Sequence, residues 1–287
     1  MENPYQWDTA LIEEWLKVLR TAPLNRYPDA AAREVKQQLR TVMQVSDTMD
    51  IILGNGSDEL IQMLILALNG EGHVLLVPEP SFIMYRQLAQ VAGMQYIGVP
   101  LEKKDFRLDM FAMLEAIETH QPALIFLACP NNPTGNLFDT EDIEAILETS
   151  QGIVVVDEAY APFVDSTFMS CLEKYPNLLV MRTVSKLGLA GLRLGLLAGH
   201  SEWIEQIEKT RLPYNINILT QISAVFALQH YAVLEKQTQQ IRADRVDLRK
   251  NMNSINGVHA WPSQANFILF RVKNALAVFI GLKETVY

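Results

Sequence analysis

Basic charge, cysteine and long apolar runs are all scarce in this chain, and each scarcity removes a class of function. Lysine and arginine number 24 against 33 aspartates and glutamates, a formal net charge of −9. A nucleic-acid surface needs the opposite sign, so no nucleic-acid partner is expected. No apolar run is long enough to span a bilayer, and residues 1–4 show neither the basic start nor the apolar core of a signal peptide, so no membrane association is expected. The two cysteines, Cys129 and Cys171, are too few for a disulfide framework and lack metal-ligand spacing. That fits a reducing cytoplasm. Five scattered histidines give no metal constellation either. Neither a Walker phosphate loop nor a dinucleotide fingerprint is present. What is present is 287 residues, 49% of them hydrophobic, enough for one large domain or one large plus one small.

Periodicity and punctuation predict the elements. Residues 9–19 form an amphipathic helix with Leu11, Ile12, Trp15, Leu16 and Leu19 on one face. Pro28 makes 24–29 a turn, in which Tyr27 reads as a packed loop aromatic. A helix over 30–42 and a strand over 50–53 follow. Further strands are expected over 73–77, 95–99, 123–128, 153–156, 177–181 and 194–198, with helices over 60–68, 83–92, 110–118 and 140–149 between them. Residues 78–82, with two prolines, break the second strand. Beyond lie helices over 202–209, 220–228 and 234–252, a hairpin (258–261 and 266–272 joined by Pro262-Ser263-Gln264) and a helix over 275–282. Alternation from Ile51 to Ala198 means an α/β fold with a mostly parallel central sheet. The changed pattern after about residue 230 divides the chain into an N-terminal segment (1–24), a large domain (25–230), and a connecting helix with a smaller α+β domain (231–287).

Residues 180–195, VMRTVSKLGLAGLRLG, organise the rest. An apolar strand delivers Lys186 at its end, with Thr183 and Ser185 before it and Arg193 after it. A lysine at the end of a buried strand can be desolvated into a nucleophilic amine, the kind that forms Schiff bases with carbonyl compounds. Hydroxyls and an arginine beside it suit a phosphate. Gly54-Asn55-Gly56-Ser57-Asp58 leads into a helix, where backbone N–H groups can face an anion; the same Ser57 or Asp58 would serve equally as an N-cap. The 123–128 strand ends in Cys129-Pro130-Asn131-Asn132-Pro133-Thr134-Gly135, a rigid loop. The 153–156 strand ends in Asp157-Glu158-Ala159-Tyr160, and a buried acid there needs either a structural salt bridge or a chemical task.

Taken together, these residues match the needs of pyridoxal 5′-phosphate: an amine for its aldehyde (Lys186), a carboxylate for its ring nitrogen (Asp157), and neutral donors for its ring oxygen (Asn132, Tyr160). It also needs an aromatic neighbour (Tyr85) and a phosphate site. The chain closely resembles the fold-type I, aspartate-aminotransferase-like enzymes, and among them the histidinol-phosphate aminotransferases. The resemblance rests on ENPY at 2–5, NRYP at 25–28, GNGSDELI at 54–61, PSFIMY at 80–85, CPNNPTG at 129–135, VVVDEAY at 154–160, RTVSKLGLAGLRLG at 182–195 and QANFILFR at 264–271. It implies a cytoplasmic homodimer that moves an amino group from L-histidinol phosphate to 2-oxoglutarate. By the same resemblance Lys186 carries the cofactor and shuttles the proton, Asp157 pairs with the ring nitrogen, and Asn132 and Tyr160 hold the ring oxygen. Tyr85 stacks on the ring, and Ser57, Asp58, Thr183, Ser185 and Arg193 bind the phosphate. Tyr27 reaches the neighbouring subunit's cofactor. The family pattern continues past residue 287 with further strands and a substrate-gripping arginine, so an incomplete small domain is expected. Another fold-type I chemistry, such as an aromatic aminotransferase or a threonine-phosphate decarboxylase, and a non-catalytic copy are the alternative readings.

Overall fold

The strands at the centre of the sheet carry almost no polar residue because both of their faces are covered. Every residue of β4 (Leu124–Ala128) and β5 (Ile153–Asp157) is buried. A run of this kind shows no polar–apolar alternation, which belongs to sheets with one wet face. The computed structural model describes residues 2–286. Among them, seven strands form one sheet in the order β1-β7-β6-β5-β4-β2-β3, completed by β1 (Asp50–Gly54), β2 (Val74–Glu79), β3 (Gln95–Pro100), β6 (Leu178–Thr183) and β7 (Gly195–Gly199). All run parallel except β7, which lies antiparallel between β1 and β6. The expected mostly parallel α/β sheet is thus the one observed.

Successive strand residues point to opposite faces and build two cores. On one face Leu75, Val77, Phe126, Val155, Met181 and Leu197 pack under α3 (Ser57–Leu68), α4 (Ile83–Ala92) and α7 (Ser201–Glu208). On the other, Leu76, Ile125, Leu127, Val154, Val156 and Leu196 pack under α2 (Arg33–Met43), α5 (Met110–His120), α6 (Thr140–Thr149) and α8 (Ile218–Gln229). Each such side chain contributes roughly 1.5–3 kcal/mol when buried, so stability resides in the strand interiors and the strand ends can carry polar chemistry. The helix α1 (Thr9–Leu19) packs on α8 and is tied to it by the Trp15 indole N–H, which donates to Ser223 Oγ at 2.9 Å. Beyond the sheet, α9 (Tyr231–Asn253) leads to a two-stranded ribbon of β8 (Val258–Ala260) and β9 (Phe270–Val272), then α10 (Ala275–Val286).

Three details depart from the sequence expectations. β2 continues through Pro78, where a break was expected. Past Leu76 it is paired with β3 alone, so the proline's missing N–H is not demanded by a neighbour on the vacated side. α2 starts at Arg33 instead of residue 30, because the Asp29 carboxylate accepts from the N–H groups of Ala31 and Arg33 and holds a turn with Ala32 at φ +45°. The second hairpin strand is shortened to three residues, and 266–269 leave the ladder, following the connection before them. There Gln264 N–H donates to Gly135 O at 2.6 Å and Ala265 packs against Tyr160 and Phe163. Packing against the β4 and β5 loops overrides the local alternation.

Candidate active site

The parallel strands end on one edge of the sheet, so residues just past their C-terminal ends converge. A cavity of about 130 Å³ lies there. Its walls are Ser57 and Asp58 at the start of α3, Phe82 after β2, Ala128 at the end of β4 with Pro130 and Asn132 just past it, Asp157 at the end of β5 with Ala159 and Tyr160 just past it, and Thr183 at the end of β6 with Ser185, Lys186 and Arg193 between it and β7.

Lys186 sits in a one-turn 3-10 helix, Ser185–Leu187, where the sequence suggested only a strand end. Burial pulls its ammonium below the usual lysine range; nearby Arg193 pulls the same way, against Glu2, Asp58 and Asp157. Its Nζ lies 5.6 Å from the Tyr160 ring centroid. Asp157 is the last residue of β5 and is 5% exposed. Burial pushes its carboxyl up to about 6, held in check by two donors: the Tyr85 hydroxyl to Oδ2 at 2.5 Å and the Ala159 N–H to Oδ1 at 3.0 Å. Asn132 Nδ2 donates to the Tyr160 hydroxyl at 3.3 Å. Burial, then the Asp157 charge, raises the Tyr160 phenol above its ordinary range, so it is a neutral donor. The Asn132 loop is rigid because the fully buried Asn131 donates to Pro80 O and Thr134 Oγ1 at 2.9 and 2.7 Å.

The other end of the cavity is built for an anion. Helix α3 begins at Ser57 after Gly56, which has φ +79°. Its first-turn N–H groups lack intrahelical partners and sit at the positive end of the helix dipole. A Cβ on Gly56 would lie 2.5 Å from Arg193 Nη2, and one on Gly195 only 2.7 Å from the Gly56 carbonyl carbon, so both glycines are needed to seat the arginine and the loop. Thr183 Oγ1 lies 2.9 Å from Ser185 Oγ. Asp58 Oδ2 accepts from Arg193 Nη2 at 3.2 Å. Its side chain therefore orients the arginine, which leaves its backbone as the part suited to an anion. Glu59 braces the loop from behind, accepting from Asn55 N–H at 2.6 Å and from Asn215 Nδ2 at 2.9 Å.

The amine, buried carboxylate, neutral donor pair and anion-binding helix start stand in one cavity. Over residues 2–286 the sequence matches the family described as aminotransferase class I and II. The chain belongs to the class I and II aminotransferases. It is 53% identical over 286 residues to histidinol-phosphate aminotransferase 2 of Nitrosococcus oceani, covering 99% of this chain and 79% of that one. It is 51% identical over 284 residues to the protein of the same name from Cupriavidus pinatubonensis, covering 97% and 77%. The crystal structure of the histidinol-phosphate aminotransferase from Clostridium acetobutylicum shares the fold with a TM-score of 0.89 at 22% identity, over 99% of this chain and 85% of that one. The family's cofactor is pyridoxal 5′-phosphate, and the donor set above fits it group for group.

One residue expected against the cofactor ring stands elsewhere, and Tyr27, expected to serve the neighbouring subunit, lies outside this chain's own cavity. Tyr85 is fully buried on the inner face of α4, stacked on Phe126 with centroids 4.5 Å apart and planes at 4°. It does not line the cavity and cannot lie on a cofactor ring there. Phe82 lines it instead, edge-on to Tyr85 at 5.6 Å. The sequence did carry that signal: Phe82 directly follows the strand-ending Pro80-Ser81, whereas Tyr85 falls on the helix's core-facing stripe with Ala89. Tyr27 is 81% exposed and stacks on Tyr214 at 4.5 Å, away from its own chain's cavity. Glu158, beside Asp157, points to the opposite side of the sheet end, where it pairs with Arg182 at 2.7 Å. Of this acid pair, then, one member is structural and one faces the site.

Proposed function

We propose that this chain transfers the amino group of L-histidinol phosphate to 2-oxoglutarate, giving imidazole-acetol phosphate and glutamate, a transamination of histidine biosynthesis. The observation that carries this reading is the 53% identity to a histidinol-phosphate aminotransferase over a span that includes every cavity-lining residue. Pyridoxal 5′-phosphate supplies an aldehyde that bonds amines and a ring that takes up the electrons released when a substrate carbon loses its proton. Lys186 Nζ would hold that aldehyde and move the proton at the substrate carbon; its lowered proton affinity favours the neutral, nucleophilic amine. Asp157 would hold a proton on the ring nitrogen. Asn132 and Tyr160 would donate to the ring oxygen, and Phe82 would cover one ring face. Arg193, the Thr183 and Ser185 hydroxyls and the N–H groups of Ser57 and Asp58 would bind the phosphate.

The outward-facing Tyr27 and Tyr214 support a homodimer in which Tyr27 reaches the partner's phosphate site. The separation of the β8–β9 ribbon from the seven-stranded sheet supports a smaller C-terminal unit from about residue 231. No described helix is long and apolar enough to cross a membrane. The cytoplasm is the proposed location on the strength of the biosynthetic reaction itself. The test of the reaction is glutamate release from L-histidinol phosphate and 2-oxoglutarate, run beside aromatic amino acids, with CO2 release from O-phosphothreonine measured in parallel. Preference for either competitor would replace the proposed donor. For the dimer, mixing Lys186→Ala with Tyr27→Phe subunits restores one complete site per heterodimer. A chain that sediments as a monomer yet turns over would contradict the crossing tyrosine.

A further inference from the structure

We propose that Tyr85 is a positioning residue for Asp157: its phenol, donated to Oδ2, fixes which carboxylate oxygen and which lone pair face the ring nitrogen of the cofactor. The inference rests on the assignment of Asp157 to that nitrogen. Three observations carry it. The hydrogen bond is short, 2.5 Å, and both groups are buried, so no water competes for either. The phenol ring cannot swing away, being stacked flat on Phe126 and edge-on to Phe82. Oδ1 already accepts from the Ala159 N–H at 3.0 Å, so each carboxylate oxygen has one fixed donor and one lone pair left. A carboxylate held this way meets an incoming N–H without reorganising, the condition under which a buried charge is most effective.

Direction of donation along the bond follows from the surroundings. Burial, with Asp157 next, holds the Tyr85 phenol well above its ordinary range, so it stays the donor. Its donation opposes the burial that raises Asp157. The other ionisable groups around Asp157 are Asp58 from α3, Tyr160 past the end of β5 and Lys186 from the turn after β6, with Glu158 acting from the opposite side of the sheet end. None of them comes from α4, so Tyr85 is that helix's contribution to the charge at this point. The residue first expected to cover the cofactor ring thereby acts through Asp157, while Phe82 takes the wall.

Tyr85→Phe removes the hydroxyl and keeps the ring on Phe126. The apoprotein of this variant is titrated with pyridoxal 5′-phosphate, beside Asp157→Asn and Phe126→Leu. The expected result is cofactor affinity weaker by about tenfold, since a hydrogen bond to a charged group is worth on that order. The pH midpoint of the bound cofactor's visible band should move upward, and kcat should fall with little change in KM. Phe126→Leu, which loosens the stack and keeps the hydroxyl, should lower the melting temperature and move that pH midpoint less than Tyr85→Phe does. Wild-type affinity and midpoint in Tyr85→Phe, with Asp157→Asn impaired, would overturn the role of Tyr85 alone. Wild-type behaviour in Asp157→Asn as well would overturn the assignment of Asp157 beneath it. A midpoint shift in Phe126→Leu equal to that of Tyr85→Phe would make the effect one of packing and refute the hydroxyl's part.

Discussion

Glu158→Gln should be among the most damaging single substitutions that leave every cavity-lining side chain in place. Glu158 is 4% and Arg182 12% exposed at the side chain, and their closest N–O approach is 2.7 Å. Glu158 Oε2 also accepts from Arg182 Nε at 2.8 Å and from Thr167 at 2.9 Å, while Oε1 takes the Phe168 N–H at 2.5 Å. Glutamine keeps the volume and one acceptor but leaves the guanidinium without its counter-charge. Breaking a buried pair from one side costs about 3–5 kcal/mol. Arg182 keeps a 2.6 Å contact with Thr167 Oγ1, so the lower figure, about 3 kcal/mol, applies. In a chain of this size that is a fall of roughly 6–12 °C in melting temperature. Arg182→Met, which strands the carboxylate instead, should cost a similar amount. The double variant has no uncompensated charge and should cost about as much as one single, not the sum. Apoprotein melting followed by circular dichroism measures all four corners of this cycle free of cofactor linkage. Additive losses, or singles within about 1 kcal/mol of the parent, would refute the view that this pair clamps the ends of β5 and β6.

The remaining predictions concern the site itself. Gly195→Ala places a Cβ within 2.9 Å of Gly56 and Ser57 backbone atoms, which cannot rotate away, so cofactor affinity should fall about tenfold or more by titration of the apoprotein; Gly191→Ala, with open space around it, should leave it unchanged. Asp157→Asn should stabilise the apoprotein while impairing cofactor binding. The sign follows from the carboxyl being raised from 3.8 to about 6 in the fold. The native state binds the proton more tightly than the unfolded chain, so stability falls as pH rises from about 4 to about 6. Above that the full penalty, on the order of 3 kcal/mol, persists. The melting-temperature gap between Asp157→Asn and the parent apoprotein should therefore open between about pH 4 and pH 7, and a gap independent of pH would count against a charge buried at a cost to the fold.

Much of this architecture is written in residue order. Uninterrupted apolar runs such as LIFLA and IVVVD announce strands covered on both faces, and polar residues at or just past their ends line the cavity. That is why Lys186, Asp157, Asn132 and Tyr160 were all legible from the chain, each standing at or just past a strand end. What escaped was direction. Whether an aromatic in PSFIMY faces a cavity or the core depends on the turn at which α4 begins, and a helix start shifts by a residue or two without a clear cap; Phe82 makes no side-chain cap bond. At Asp58 the residue type left open which part faces the cavity; its carboxylate accepts from Arg193, and its backbone N–H is left for an anion. Residues 266–269 were read as strand from their alternation, but the contacts of Gln264 with Gly135 and of Ala265 with Tyr160, more than a hundred residues earlier, decide the path there.

That Lys186 carries pyridoxal 5′-phosphate in the cavity at the strand ends is tested most directly by visible absorption. The spectrum is taken of the protein loaded with the cofactor, for the parent chain and for Lys186→Ala, before and after L-histidinol phosphate. The parent should show a visible band that changes on adding the amino donor and is missing from Lys186→Ala at equal cofactor occupancy. The same band in both proteins, with the same response to the donor, would contradict the assignment of Lys186.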